Sequence, residues 1–132
     1  MTTVLFACVH NAGRSQMAAA LFNQLADPAK ARAISAGTQP GPRVHPAVVE
    51  AMRELGTDLS SATTTKLTPD IARQVQLLIT MGCGDQCPVV PGVERDDWPL
   101  DDPKGKSLAQ VRTIRDEIRR RVESLVQREG WR

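Results

Sequence analysis

The stretch "TVLFACVHNAGRSQMAAALF", residues 3–22, constrains this chain more than any other part of it. Thr3 to Ala7 is short, continuous and largely apolar, the pattern of a strand covered on both faces. Ser15 to Ala26 carries Met17, Ala20, Leu21 and Leu25 at helical steps, and Pro28 follows it. Only the residues from Cys8 to Arg14 lie between them. A strand that turns this tightly into a helix is half of a strand–helix–strand unit, and such units build parallel sheets.

The rest of the chain repeats that alternation. Ala31 to Gly37 reads as a second strand ending at glycine. "HPAVVEAMRELG", from His45, reads as a helix with Val48, Met52 and Leu55 inward and Gly56 at its end. Thr68 and Pro69 open a short helix as N-cap and first residue. Val75 to Gly82 reads as a third strand and Val93 to Asp96 as a short fourth. Ser107 and Gln110 form a capping box for a last helix with Val111, Ile114, Ile118, Val122 and Leu125 along one face. Its seven arginines from Arg112 onward are expected to be mostly a solvated face. The expectation is one α/β domain over residues 1–132, a four-stranded parallel sheet between helical layers. In such sheets ligands bind beyond the carboxyl ends of the strands. Cys8, Gly37, Gly82 and the Asp101–Asp102–Pro103 turn all fall there.

Composition narrows the function classes. A net charge of +2 over 132 residues is too small to suggest nucleic acid as the main partner. No stretch approaches the roughly 20 apolar residues that span a bilayer, and the N-terminus lacks a signal-peptide pattern. A cytoplasmic, monomeric protein is expected. Three cysteines, Cys8, Cys83 and Cys87, then favour reactive thiols over a disulfide framework.

The loop "CVHNAGRS" suits an anion. A loop entering a helix N-terminus turns backbone N–H groups inward, and the helix dipole adds positive potential. Arg14 offers a two-pronged fork to a tetrahedral oxyanion. Gly13 permits close approach, and Asn11 tolerates positive φ or holds the loop in shape. Val9, His10 and Ala12 contribute backbone to the same cradle. The field favours an anionic sulfur on Cys8, to which the Ser15 hydroxyl can donate. A thiolate beneath a bound oxyanion is placed to attack its central atom. Cys8 and His10 together make poor zinc spacing, so no metal is expected there. His45, before Pro46, reads as structural. A displaced oxygen needs a proton, and Asp102, whose backbone is held extended by Pro103, is the candidate acid, with Asp101 second.

The C-x5-R-S stretch, Ser35–Ala36–Gly37 and Asp102–Pro103 together resemble the low-molecular-weight protein tyrosine phosphatase fold over nearly the whole chain. Within that superfamily "CVHNAGRSQMA", "SAGT", His45–Pro46 and the Gly56–Ser60 segment are most similar to the arsenate reductase branch. The resemblance implies a three-layer α/β/α architecture. It implies Cys8 as nucleophile, Asn11, Arg14 and Ser15 as loop residues, Asp102 as general acid, and no cofactor. Phosphatases of this fold usually carry aromatics beside the Asp-Pro pair. This chain has "KGK" after Pro103 and no tyrosine, with Trp98 the nearest aromatic. A small inorganic ion needs no such wall. Some relatives hold potassium through a glutamate early in the first helix; Ala19 stands at that place, so no metal is expected.

By the same resemblance, Cys8 takes arsenate, Cys83 attacks Cys8 and releases arsenite, and Cys87 carries the disulfide to thioredoxin. Phosphate and sulfate would compete as oxyanions. The spacing between Cys83 and Cys87 is narrower than in familiar thioredoxin-coupled relatives. Mycothiol-coupled reductases working with mycoredoxin share the fold and need only the first cysteine. We expect the intramolecular relay ahead of that alternative, and ahead of a phosphatase of small phosphate esters or a non-enzymatic oxyanion sensor.

Overall fold

The apolar run forms strand β1, Thr2–Cys8, with its side chains buried from Thr3 onward. In this computed structural model, which describes residues 1–82 and 90–132, it is followed by helix α1 (Arg14–Leu25) and strand β2 (Ala31–Gly37). Next come α2 (Pro46–Arg53), α3 (Pro69–Arg73), β3 (Leu77–Thr80), β4 (Glu94–Asp97) and α4 (Leu108–Glu129). The four strands form one sheet in the order β2-β1-β3-β4, with each neighbouring pair parallel.

Burial on both faces explains the continuous apolar reading of β1. Val4, Phe6 and Cys8 point to the larger core, shared with α1, α2 and α4. Leu5 and Ala7 point to the smaller one, with Leu67, Ala72, Val75 and Leu78. The layers are therefore unequal: three helices cover one face, and the five-residue α3 with its flanking loops covers the other. The chain's four aromatic rings line one stack in the larger core. Phe6 meets Phe22 at 6.1 Å and Trp98 at 5.5 Å, and Phe22 meets Trp131 at 5.8 Å. Trp98, the aromatic nearest the Asp-Pro pair in sequence, is committed to that core, where its large apolar ring gains most.

The caps follow local chemistry. The Thr68 hydroxyl accepts from Ile71 N with Pro69 behind it, and Ser107 and Gln110 close the capping box. Strand β3 is shorter than the predicted Val75–Gly82. Gln76 closes one end by pairing both ways with Thr3, its N–H donating to Thr3 O and its Oε1 accepting from Thr3 N. At the other end Gly82 turns the chain at φ +97°. The order β2-β1-β3 reverses direction at β1, so the crevice of such a sheet lies just past Cys8.

Not all the α4 arginines are solvated. Arg115 is 8% exposed and donates to Ala51 O at the end of α2, while Arg112 and Arg115 both clasp Glu54. Sequence periodicity missed this because the partner carboxylate comes from the turn after α2. The Arg112 hydrogen bonds first, then those of Arg115, hold the Glu54 carboxyl down to about 2 from 4.5. The stability this gives is present above about pH 4.5 and is lost as pH falls toward 2. Glu54→Gln should therefore flatten the acid limb of a urea-unfolding series measured between about pH 6 and 2. Arg115→Met should cost about 2 kcal/mol by stranding the buried Ala51 O, whereas the same change at exposed Arg119 should stay within about 0.5 kcal/mol.

Candidate functional site

The loop after β1 is fixed by its carbonyl groups. Cys8 O, Val9 O, His10 O and Ala12 O accept from Thr38, Gln39, Gly41 and His45 N, at 2.7 to 3.1 Å. Gly13 O accepts from Met17 N in the first turn of α1 at 3.0 Å. In a trans peptide the N–H points opposite to its C=O. Carbonyls tied outward to the 38–45 segment thus turn the amides of residues 9, 10, 11 and 13 toward the opposite, inner side. Helix α1 begins there with no acidic residue in its first turn, so its dipole is uncompensated by nearby carboxylates on the helix.

Asn11 adopts both expected behaviours. Its φ is +51°, and its side chain is fully buried. Oδ1 accepts from Thr65 N at 2.9 Å and Gln16 Nε2 at 3.2 Å, and Nδ2 donates to Ser15 Oγ at 2.8 Å. Ser15 Oγ in turn lies 2.9 Å from the Cys8 sulfur, which is buried at the end of β1. Three glycines allow the close packing. A side chain at Gly37 would sit 2.6 Å from Val9 O. One at Gly13, which caps α1, would overlap the Pro103 ring, and one at Gly82 would overlap the Arg14 guanidinium. Gly13 has negative φ, so contact with Pro103, and not a left-handed turn, is what requires glycine there.

Arg14 is 6% exposed. Its Nη1 donates to Leu100 O at 3.0 Å, and Nη2 lies 3.7 Å from Asp102 Oδ2. The structure thus brings Asp102 to the loop. Asp101 is exposed and borders a shallow hollow with Lys106 and Gln110 at the start of α4. Asp102 Oδ1 accepts from Lys104 N at 3.0 Å, the short turn that Pro103 frames. His45 is also drawn in. It N-caps α2 in extended backbone, its N–H reaches Ala12 O, and its ring lies beside Gly13. Burial pushes its pKa down against the opposing pull of Asp102. His10 Nδ1 lies 3.1 Å from Gln39 O. A cavity of about 570 Å³ opens beside the loop, bordered by His10, Ala12, Gln39, Arg43, His45 and Lys104. Among the described residues two cations and no carboxylate border it. No cluster of three or more metal-ligating side chains occurs among the described residues. Cys83 and Cys87 lie outside those residues.

Sequence reasoning missed Leu100 O, Gln16 and the closeness of His45. Backbone carbonyls carry no residue signature, and the amide of Gln16 reads as an ordinary helix-surface polar group. The His45–Pro46 pair was the one available signal.

A cysteine and an arginine on the loop between the central strand and its helix, in a four-stranded parallel sheet, define the class of phosphatase-fold proteins. The chain belongs to the low molecular weight phosphotyrosine protein phosphatase family, whose model matches residues 3–129. It is 40% identical over 126 residues to a Halobacterium salinarum protein named "Putative arsenate reductase", covering 91% of this chain and 87% of that one. Among solved structures it is similar to a Corynebacterium glutamicum thioredoxin-dependent arsenate reductase, with TM-score 0.82 and 39% identity. That match covers 96% of this chain but only 61% of the other, so this chain spans about three-fifths of that protein. It is similar over 97% of its length, and 98% of the other's, to an arsenate reductase solved in the phosphate binding state, with TM-score 0.82 and 33% identity. Among the described residues no helix is long and apolar enough to cross a membrane.

The contact of Gly82 with Arg14 yields a direct test. Added phosphate is expected to raise the melting temperature, and Gly82→Ala is expected to abolish that rise by displacing the guanidinium. Gly92→Ala, at φ +84° with open space around it, should keep that phosphate response and lose only about 1–2 kcal/mol of stability.

Proposed function

We propose that residues 1–132 act as one catalytic unit that reduces arsenate to arsenite. The observation that carries this reading is the 3.7 Å approach of Asp102 to Arg14, on the loop that begins at Cys8, in a chain whose relatives are named as arsenate reductases. Arg14 spends one donor on Leu100 O and retains others for two oxygens of an anion. The inward amides of residues 9, 10, 11 and 13 and the α1 dipole supply the remaining positive potential, already oriented before the anion arrives.

In this mechanism the Cys8 thiolate attacks arsenic. A sulfur–arsenic bond forms, and one oxygen departs as water with the proton that Asp102 supplies. Ser15 donates to the sulfur while it is anionic. The Cys83 thiolate then attacks the Cys8 sulfur. A disulfide forms, the sulfur–arsenic bond breaks, and its electron pair stays on arsenic as arsenite. Cys87 attacks Cys83, frees Cys8 as thiolate and leaves a Cys83–Cys87 disulfide for thioredoxin in a reducing cytoplasm. Support for the thioredoxin step comes from the presence of three cysteines and from the C. glutamicum relative. Every aromatic ring of the chain that could have flanked a phosphotyrosine is engaged in the core stack, which favours a small inorganic substrate.

The test is arsenite release assayed separately with thioredoxin/thioredoxin reductase and with mycothiol/mycoredoxin. Turnover with thioredoxin that is lost in Cys8→Ser and in the Cys83→Ser/Cys87→Ser double variant is the expected result. Turnover only with mycothiol discards the relay. No arsenite with either, beside brisk aryl phosphate hydrolysis, makes the protein a phosphatase. Asp102→Asn should slow arsenite formation about 10²- to 10⁴-fold while leaving phosphate competition in place.

A further inference from the structure

We propose that Gln16 is a positioning residue that sets the direction of a hydrogen-bond chain ending on the Cys8 sulfur. The proposal rests on the reading of Cys8 as the nucleophile. Gln16 is 8% exposed, and the mechanism above does not use it.

Two backbone groups fix the direction. Thr63 O can only accept, so the Gln16 group 2.9 Å away is the amide nitrogen, as placed. That nitrogen also donates to Asn11 Oδ1 at 3.2 Å. Thr65 N–H can only donate, and it too meets Asn11 Oδ1, at 2.9 Å. With both donors on Oδ1, the Asn11 amide nitrogen must face Ser15 Oγ, 2.8 Å away, and donate to it. Ser15 Oγ accepts there, and a Cys8 thiolate can only accept, so with the sulfur anionic the hydroxyl proton lies along the 2.9 Å line to it. The links from Gln16 through Asn11 and Ser15 to Cys8 are buried, where a hydrogen bond is stronger and a misdirected one is costly.

Gln16 therefore does two things at once. It stitches the 63–65 segment to α1, and it supplies the second proton that holds Asn11 at its left-handed φ of +51°. Without that donor, Asn11 keeps only the Thr65 N–H at its Oδ1. Its side chain can then swing, and the Ser15 hydroxyl is released to point elsewhere. An anionic sulfur loses a directed donor.

The experiment measures Cys8 alone, with no arsenate or reductant. The fully reduced full-length chain is treated with iodoacetamide near neutral pH, and modification of the Cys8 peptide is followed by mass spectrometry. Gln16→Met, similar in length but with no donor, should slow Cys8 alkylation about three- to tenfold. Ser15→Ala should slow it as well. In the Ser15→Ala background, Gln16→Met should add no further loss, because the path to the sulfur is already cut. Circular dichroism checks the fold, and Gln16→Glu, which keeps shape but brings an acceptor to two acceptors, gives a second variant if Gln16→Met fails to fold. Alkylation equal to wild type overturns the proposal. So does a loss of the same size with and without Ser15, which is the signature of a merely structural role. Absence of arsenite from the wild-type protein would remove the reductase reading and leave this outcome untouched.

Discussion

The outward pull on the carbonyls of residues 8, 9, 10, 12 and 13 is the constraint on which the rest of the site depends. Four of these groups are tied to Thr38, Gln39, Gly41 and His45, and Gly13 O is tied to the first turn of α1. Peptide planarity converts those bonds into inward-facing amides without any charged side chain having to do it. The segment from 38 to 45 is therefore part of the loop's architecture, although little in its own sequence announces that. Its anchoring comes from β2, which runs beside β1 in register from Thr2↔Ala31 to Cys8↔Gly37.

Packing around that loop is close enough that glycine is needed at three points from three directions. Gly37 meets Val9 and Asn11 from the neighbouring strand, Gly13 meets Pro103, and Gly82 meets Arg14. The last two couple distant parts of the chain. Residues 98–103, leading from the sheet edge to α4, press Asp102 and Pro103 onto the loop, while the end of β3 presses on the arginine. Arg14 is thereby held by a carbonyl, a carboxylate and a glycine from segments far away in sequence. A guanidinium so constrained loses little freedom when it meets an anion, which is how a prepared site gains affinity. The Asn11–Ser15–Gln16 network does the same for the sulfur from the other side.

The strand–loop–helix reading of residues 3–26 was legible because burial on both faces leaves an apolar run, and because cysteine, glycine and arginine between two regular elements serve no packing purpose. The capping box at Ser107 and the Thr68–Pro69 helix start were legible for a related reason: caps are local chemistry, satisfied within four residues. The same local logic did not single out Trp98 or Arg115. Trp98 sits near the acidic turn in sequence, yet its ring turns inward to Phe6. Arg115 looks like one of seven surface arginines, yet its partner Glu54 belongs to the turn after α2. Both outcomes depend on what lies across the fold.

The sequence by itself determined the order of elements, the parallel sheet and the residue set of the loop, since periodicity, caps and residue chemistry are properties of short segments. Only the tertiary structure decided which aspartate of the 101–102 pair faces Arg14 and which glycines are indispensable. It likewise decided how Asn11, Ser15 and Gln16 are wired to Cys8. Those facts are distances between segments tens of residues apart, and they exist only once the sheet has brought its strand ends together.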